Sequence, residues 1–347
     1  MVWAAALSSR SCWVLTPQPD GAWRYCSNVL GVEAIEQERL VRAAAQDIEG
    51  VAAFCATHEI GAVAAADTRG SRFLLRAAPS LPRDVNCFPM CETELFERMY
   101  DKWGFATLLR ELSLPAPSTE LIRSREDIER SSIEMPAILK PTQGESSVGV
   151  EKIGTPAAAR ASVNARLGRS EGPFILQQFI PGVDIDLSLL CDRGSCVAWT
   201  IQQRAGGGTM RFLDHPVVLE LGRTLVRETG YHGVMHLDMR IDERDGKVLF
   251  IESNPRFWGS LNYSVWSGVN FLDLGLRMLE GAGPRGHFTP VVTECPYLDV
   301  TKRSLPRALL GGWPVPRGLS DAQRRAWCFH HRYGSGAIRG LLRSWVA

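Results

Sequence analysis

Residues 233–260 have the sequence GVMHLDMRIDERDGKVLFIESNPRFWGS, which contains the most informative pattern in the chain. Within it, residues 236–242 alternate between polar and apolar side chains, the period of a β-strand with one buried face. The pair Asp245-Gly246 is typical of a tight turn, so residues 248–253 are expected to return as a second strand. We therefore predict a β-hairpin with one polar face.

The polar face of this hairpin carries acidic side chains. If the hairpin is symmetric about Asp245, Asp238 lies opposite Glu252, and Asn254 shares the face of Glu252. Like charges in opposite positions are unfavourable unless a cation lies between them. Oxygen ligands of this kind suit Mg²⁺, whereas zinc prefers His and Cys. The alternative is a solvated edge hairpin, but Arg256 follows the acids closely, which favours a metal–nucleotide site.

A second segment favours phosphate binding. Residues 138–150, ILKPTQGESSVGV, predict a strand ending in Lys140 and then a loop over residues 144–149. Glycines allow backbone N–H groups to turn toward a phosphate, and the hydroxyls of Ser146 and Ser147 add donors. The segment is not a Walker loop, because the lysine precedes the glycines. An ordinary Gly/Ser hairpin with an exposed lysine is the alternative.

The composition is that of a chain that can bury a large core. Its 347 residues are 45% apolar and 22% charged, and a chain of this length divides into two or three lobes. A net charge of +1 argues against a nucleic-acid partner, because surfaces that follow phosphates carry an excess of Lys and Arg. No apolar run is long enough to cross a bilayer, so we predict no membrane partner and a soluble, cytoplasmic protein.

The N-terminal part predicts a parallel α/β lobe. Strands are expected at residues 12–15, 62–66 and 85–88, and the spacing of apolar residues predicts one helix over residues 36–58. Residues 1–9 resemble the end of a helix, so the first strand of this lobe is expected upstream of the chain.

The rest of the chain predicts an α+β arrangement. A helix over residues 92–112 ends before Pro115 and Pro117, which cannot continue it. Short strands joined by turns then alternate with helices over residues 119–279. The tail contains a predicted helix at residues 320–328. The predicted divisions are residues 1–92, 93–178, 179–281 and 282–347.

Five segments, in this order, resemble the ATP-grasp superfamily of carboxylate–amine ligases. They are Asp101-Lys102 on a helix, ILKPTQGESSVGV at 138–150, ILQQFIPGVDID at 175–186, GVMHLDMRID at 233–242 and IESNPRFWGS at 251–260. The resemblance covers about residues 92–279. It implies two α+β lobes, residues 93–178 and 179–281, that close on ATP. Residues 1–92, including RYCSNV at 24–29, resemble the α/β domain that precedes the grasp, and residues 282–347 form a C-terminal extension.

The resemblance implies roles for the basic and hydroxyl side chains. Lys102 and Lys140 correspond to the paired lysines that contact the nucleotide phosphates. Residues 144–149, with Ser146 and Ser147, correspond to a flexible lid over those phosphates.

The resemblance also implies how the nucleoside is bound. Gln177, Gln178 and Ile180 correspond to the hinge that reads adenine, and Asp184 corresponds to a carboxylate on the ribose. The family often has Glu at both the first hinge position and the ribose position. Gln177 keeps a carbonyl acceptor for the adenine amino group, whereas Asp184 is one methylene shorter, which weakens the expected ribose contact.

The metal and the reaction follow from the same resemblance. Asp238, Glu252 and Asn254 correspond to the ligands of Mg²⁺, with Mn²⁺ as an alternative ion. The implied activity joins a small-molecule carboxylate to an amine through an acyl phosphate, with amino acids or small peptides as default substrates. Arg256 would bind the carboxylate and stabilise the oxyanion of the tetrahedral intermediate. His236 is interpreted as a hydrogen-bonded spacer.

Several alternatives stay open. The same nucleotide site could serve a carboxylase, carbamoyl-phosphate chemistry or phosphotransfer, and the chain could be a nucleotide-binding module without activity. Arg204 and residues 206–208 line the acceptor side or form a surface loop. The apolar residues 337–346 form a homodimer interface or pack on the core.

Overall fold

The N-terminal lobe consists of short parallel strand pairs flanked by helices. The computed structural model describes residues 4–5, 8, 10–19, 28–205, 209–281 and 294–296. The first elements are β1 (Cys12–Thr16), β2 (Val29–Ala34), α1 (Gln37–Arg42), α2 (Ala45–Thr57), β3 (Ala62–Val63), α3 (Thr68–Ala77) and β4 (Asn86–Cys87). β1 pairs with β2 and β3 with β4, both in parallel. The parallel α/β arrangement is as predicted, but β3 and β4 are shorter than the expected strands 62–66 and 85–88.

The single helix predicted over residues 36–58 is wrong. Ala43 has a left-handed backbone with φ of 44°, which ends α1. The buried carboxylate of Asp47 then accepts hydrogen bonds from the Ala44 N–H and from both arginines of α1. Apolar spacing continues across the break, so the periodicity alone did not reveal it.

A second predicted helix, over residues 92–112, is also two helices. They are α4 (Thr93–Tyr100) and α5 (Lys102–Glu111). Asp101 leaves the helical conformation with ψ of 123°, and its side chain caps α5 by accepting from the Gly104 N–H. The backbone N–H of Lys102 donates to the carbonyl of Thr142 over 2.7 Å. The break therefore fixes the start of α5 against the segment that follows the strand of Lys140.

The next lobe is a four-stranded antiparallel sheet with helices on one side of the core. Its elements are β5 (Thr119–Ile122), α6 (Arg125–Arg130), β6 (Ala137–Pro141), β7 (Glu151–Ile153), α7 (Pro156–Leu167) and β8 (Phe174–Gln178). The strand order is β5-β8-β6-β7. Ile122, Leu139 and Phe174 are fully buried in one apolar cluster with residues of α6 and α7. Ile138 lies opposite Gln177 in the register, so the strand of Lys140 adjoins the strand of the hinge.

The last lobe is a six-stranded antiparallel sheet. Its elements are β9 (Gly182–Asp192), β10 (Ser195–Ala205), β11 (Thr209–Leu213), α8 (Pro216–Thr229), β12 (Gly233–Asp242), β13 (Val248–Asn254), α9 (Leu261–Trp266), α10 (Phe271–Leu279) and β14 (Glu294–Pro296). The strand order is β13-β12-β9-β10-β11-β14. Leu237 and Met239 of β12 are buried in the main apolar cluster, while His236, Asp238 and Arg240 line a cleft. The predicted polar and apolar faces of β12 are confirmed.

Some predictions fall outside the described residues. They concern residues 24–27 of RYCSNV, residues 206–208, the helix at 320–328, the apolar segment 337–346 and all of the extension 282–347 except β14. Within the part of the chain that the structure describes, no helix has the length and apolar character needed to span a bilayer.

Candidate active site

A cleft of about 1400 Å³ is lined by residues of both the four-stranded and the six-stranded sheets. Every site residue predicted from the sequence lines it: Lys102, Lys140, Ser146, Ser147, Gln177, Gln178, Ile180, Asp184, Asp238, Glu252, Asn254 and Arg256. The fold therefore brings these residues to one place, whatever their roles.

Two carboxylates face each other inside this cleft. Asp238 of β12 lies opposite Glu252 of β13 in the antiparallel register, as predicted. A bulge between them and the turn leaves Ile251 without a partner on β12. Both carboxylates are partly exposed to the cleft, where oxygen atoms of this kind can bind a divalent cation.

Asn254, the third predicted ligand, is turned differently. Its amide nitrogen faces Asp238 at 3.4 Å, while its oxygen accepts a hydrogen bond of 3.0 Å from Arg256. Asp238 and Glu252 thus offer the carboxylate oxygens that Mg²⁺ or Mn²⁺ prefers. Asn254 can offer its oxygen to a metal ion only after its amide rotates. That rotation breaks the hydrogen bond that the oxygen accepts from Arg256.

Two lysines approach the same carboxylate from different elements. Nζ of Lys102 lies 3.5 Å, and Nζ of Lys140 3.9 Å, from Oε2 of Glu252. Both side chains are buried, with residue exposures of 7% and 3%. Burial lowers the pKa of Lys140 to about 8, an effect that the charge of Lys102 increases and the charges of Glu252 and Asp238 oppose. Two ammonium groups held out of water beside acidic groups are suited to a polyanion.

The loop over residues 144–149 lies against these lysines. Lys102 Nζ donates to the carbonyl of Gly144 over 2.9 Å. Ser146 and Ser147 both have left-handed backbones, with φ of 56° and 58°. Consecutive non-glycine residues with positive φ are uncommon, and these two lie in the connection between the antiparallel strands β6 and β7.

Arg256 is held by several contacts that the sequence did not predict. Its Nε donates to Thr68 Oγ1 over 2.8 Å, and its Nη2 lies 3.1 Å from Oε1 of Glu145. Nη1 donates to the carbonyl of Phe257 over 2.8 Å. Thr68 belongs to the N-terminal lobe and Glu145 to the glycine-rich loop, so Arg256 connects parts of the chain that are far apart in sequence.

The hinge has a fixed amide orientation. Nε2 of the buried Gln177 donates to Thr119 Oγ1 over 3.0 Å, which leaves Oε1 as an acceptor. The backbone N–H of Gln178 donates to the carbonyl of Ser118 over 2.8 Å. That N–H is therefore already used, so a base bound at these residues would have to contact Gln177, the carbonyl groups or Ile180.

Asp184 lies at the margin of the cleft, and its side chain is 75% exposed. It forms an ion pair with Arg240, which also donates to the carbonyl of Gly182 over 2.8 Å. A ribose hydroxyl would have to compete with Arg240 for this carboxylate.

The structure adds a cluster beside Asp238 that sequence reasoning missed. One ligand atom each of Asp186, His236 and Asp238 lies within 4.8 Å of the others. His236 interacts with Ser188 at 2.9 Å and Asp238 at 3.2 Å, and it stacks on Trp258. These contacts agree with its interpretation as a spacer. The alternation of residues along β9 predicts that Asp186 shares a face with Asp184. Only the pairing of β9 with β12 shows that Asp186 lies opposite Asp238.

Two members of the cluster, Asp186 and His236, have shifted pKa values. Burial raises the pKa of Asp186. Burial lowers the pKa of His236, but its hydrogen bond to Asp238 and the charges of Asp238 and Asp186 outweigh burial, so the pKa is raised overall. Both shifts favour the protonated forms of Asp186 and His236.

Part of the chain matches the model of a known family. Residues 170–302 match a family described as "ATP-grasp in the biosynthetic pathway with Ter operon". The matched segment contains the hinge and both strands of the acidic hairpin.

Two curated relatives are similar over part of the chain. The D-aspartate ligase of Enterococcus faecium is 25% identical over 213 residues, covering 52% of this chain and 50% of that protein. The D-alanine–D-alanine ligase of Gluconobacter oxydans is 27% identical over 180 residues, covering 45% and 57%. The chain thus matches about half the length of these relatives.

The fold is also similar to that of solved structures. The N5-carboxyaminoimidazole synthetase of Staphylococcus aureus, solved in complex with ADP, aligns with a TM-score of 0.68 at 11% identity. The alignment covers 89% of this chain and 82% of that protein. At this identity the similarity shows the fold and not the reaction.

Proposed function

We propose that this chain, a member of the ATP-grasp superfamily, is an ATP-dependent ligase that joins a carboxylate to an amine. Amino acids or small peptides are the proposed substrates, because a D-aspartate ligase and a D-alanine–D-alanine ligase are among its relatives. The observation that carries the proposal is the convergence of Lys102 and Lys140 on Glu252, opposite Asp238. Arg256 follows two residues after the end of the same hairpin.

The proposed nucleotide orientation is supported by the position of the hinge and the two lysines along one cleft. Adenine lies at the hinge, where Gln177 offers an acceptor to the amino group. The ribose lies near Asp184, and the phosphates extend toward Lys102 and Lys140. This orientation places the γ-phosphate beside the acidic pair.

The first chemical problem is electrostatic, because a donor carboxylate must approach a polyphosphate of the same charge. Lys102, Lys140 and Arg256 offset this repulsion. A carboxylate oxygen attacks the γ-phosphorus, the bond to the β-phosphate oxygen breaks, and ADP leaves. Phosphoryl transfer requires little covalent participation from the protein, so position and charge account for the catalysis.

A divalent cation completes the site. Asp238, Glu252 and, with its amide rotated, Asn254 would hold Mg²⁺ or Mn²⁺. When bound, the ion neutralises charge on the phosphate oxygens.

In the second step, the amine nitrogen attacks the acyl carbon, the bond between that carbon and the phosphate oxygen breaks, and the proton lost by the nitrogen leaves with the phosphate. Arg256 stabilises the oxyanion of the tetrahedral intermediate, since its guanidinium is already oriented by Thr68 and by the carbonyl of Phe257. Closure of residues 144–149 keeps water away from the acyl phosphate.

The test is an ADP-release screen that crosses carboxylic acids with amines, with products identified by mass. D-aspartate and D-alanine belong in both panels, and bicarbonate belongs among the acids. We expect ADP release to require both partners and to yield an amide. ADP release with bicarbonate alone would indicate carboxyphosphate chemistry instead, and no release with any pair would contradict the ligase proposal.

A further inference from the structure

Glu145 of the glycine-rich loop contacts the arginine that is proposed to bind the donor acid. Its carboxylate lies 3.1 Å from Nη2 of Arg256 and accepts a hydrogen bond from the hydroxyl of Thr68. The Arg256 and Thr68 side chains are largely buried, whereas the Glu145 side chain is 38% exposed. A partly exposed carboxylate therefore sits on a buried pair of polar groups.

The hydroxyl of Thr68 has a defined direction. Arg256 Nε donates to Thr68 Oγ1 over 2.8 Å, so the hydroxyl oxygen acts as an acceptor there. Its hydrogen is left to point at the carboxylate of Glu145. Arg256 thus orients Thr68 as a donor, and both groups present hydrogen atoms to the same carboxylate oxygen.

We propose that Arg256 and Thr68 together form the binding site for the carboxylate of the donor acid, and that Glu145 holds this site until the donor displaces it. The identity of the ligand as the donor acid rests on the proposed function. Thr68 is then a substrate-binding residue contributed by the N-terminal lobe, 188 positions before Arg256.

This arrangement couples donor binding to the loop. Residues 144–149 are held by two cations of the cleft, since Lys102 donates to the carbonyl of Gly144 and Arg256 pairs with Glu145. A donor carboxylate replaces Glu145 on Arg256, and nucleotide phosphates compete for Lys102. Each substrate therefore releases one contact at the start of the loop, whereas Arg166 still donates to the carbonyl of Gly149 over 3.0 Å at its end. Gly144 and Glu145 are free to reposition once both substrates are bound.

The chemistry also limits the ligand. Arg256 and Thr68 offer only donors at this point, so they select an anionic oxygen. The site would not hold an ammonium group. The donor acid, rather than the acceptor amine, therefore binds between the N-terminal lobe and β13.

The experiment measures access to Arg256 without requiring turnover. Full-length protein is treated with phenylglyoxal, and modification of Arg256 is followed by peptide mass spectrometry. We expect Glu145→Ala to raise the modification rate about tenfold, since a charge-assisted hydrogen bond is lost. Glu151→Ala is the matched control, because Glu151 is an exposed carboxylate at the start of β7 whose partner is Ser162. Its rate should equal the parental rate.

Acetate then serves as the test ligand in the Glu145→Ala background, against chloride at equal ionic strength. We expect acetate to restore protection of Arg256. Adding Thr68→Val should raise the half-protecting acetate concentration about tenfold, whereas Thr68→Ser should not. Thr68→Ala is the second variant should Thr68→Val fail to fold, as judged by thermal melting.

Two results would overturn the inference: an unchanged rate for Glu145→Ala, or equal acetate protection with and without the Thr68 hydroxyl. The proposed ligase function can be contradicted independently of this inference. Protection by acetate without ADP release in the substrate screen would contradict the ligase proposal alone. ADP release from a carboxylate that never protects Arg256 would contradict this inference alone.

Discussion

Asp238 and Glu252 lie opposite each other because Ile251 is bulged out of the pairing between β12 and β13. From the turn, Ile241 pairs with Val248 and Met239 with Phe250, and the register then shifts by one before Asp238 meets Glu252. Without the bulge Asp238 would face Ile251. The predicted pairing of the two acids is correct, but the symmetry about Asp245 from which it came is not, since the turn is centred half a residue earlier.

The first prediction concerns this acidic pair. Glu252→Gln keeps the shape of the side chain and removes one charge from the proposed metal site. Changes to groups that only support metal ligands cost about tenfold to a hundredfold, so we expect ADP release at saturating substrates to fall by at least about a hundredfold. Glu243→Gln, in the exposed turn of the same hairpin, should retain the parental rate. ADP release by Glu252→Gln at the parental rate would exclude the metal assignment.

The second prediction concerns Lys140. Lys140→Met keeps the aliphatic stem in its buried position and removes only the ammonium. We expect the affinity for a nonhydrolysable ATP analogue, measured by calorimetry, to fall about tenfold or more, because a charge-assisted contact is lost. Thermal stability should not fall, because burial of the ammonium is itself unfavourable. Lys247→Met, on an exposed lysine paired with Asp245, is the control. Unchanged affinity in Lys140→Met would contradict the phosphate role.

Local patterns predicted the parts of the fold that depend on local chemistry. The alternation in HLDMRID predicted the two faces of β12, and it predicted that Asp238 and Glu252 share the polar face. In the structure this face lines the cleft. Patterns did not predict where helices break, because apolar spacing persists through Ala43 and Asp101. Those breaks depend on side-chain capping by Asp47 and Asp101, which competes with helix continuation.

Contacts between segments that are distant in the chain could not be predicted from the sequence. Thr68, Glu145 and Arg256 meet only because the N-terminal lobe, the loop and the hairpin pack together. A threonine at the start of a helix has an ordinary local role, so nothing in its neighbourhood indicated a binding site. Asp186 was visible as one of two alternating acids, but its position opposite Asp238 is a property of the sheet.

The third prediction concerns the break between α1 and α2. The contacts of Asp47 with Arg42 and Arg39 hold the pKa of its carboxyl well below the ordinary value, with the Ala44 N–H acting in the same direction. A lowered carboxyl pKa stabilises the folded chain above about pH 4, and this contribution is lost as the pH falls further. Asp47→Asn should therefore lower the midpoint of urea unfolding near neutral pH. Below about pH 4 the midpoint of this variant should fall less steeply than that of the parental chain.

Asp84→Asn, on an exposed loop, is the control for this change. Its urea midpoint should follow that of the parental chain across the same pH range. Equal midpoints for Asp47→Asn and the parental chain near neutral pH would show that the carboxylate does not stabilise the break.

The last prediction concerns the choice of nucleobase. The hydroxyl of Thr119 donates to the carbonyl of Pro117 over 2.9 Å, so its oxygen can only accept from Gln177. The Gln177 amide is thereby fixed with its oxygen as the remaining acceptor, which suits the amino group of adenine and opposes the carbonyl of guanine. Thr119→Val removes this restraint and lets the amide rotate. We expect the preference for ATP over GTP, measured by competition binding, to fall about tenfold, roughly the value of one oriented hydrogen bond. Gln177→Glu carries acceptors only while its carboxyl is ionised. At a pH that keeps it ionised the variant should keep the preference in both Thr119 backgrounds, so a loss of selectivity there would locate base recognition elsewhere in the hinge.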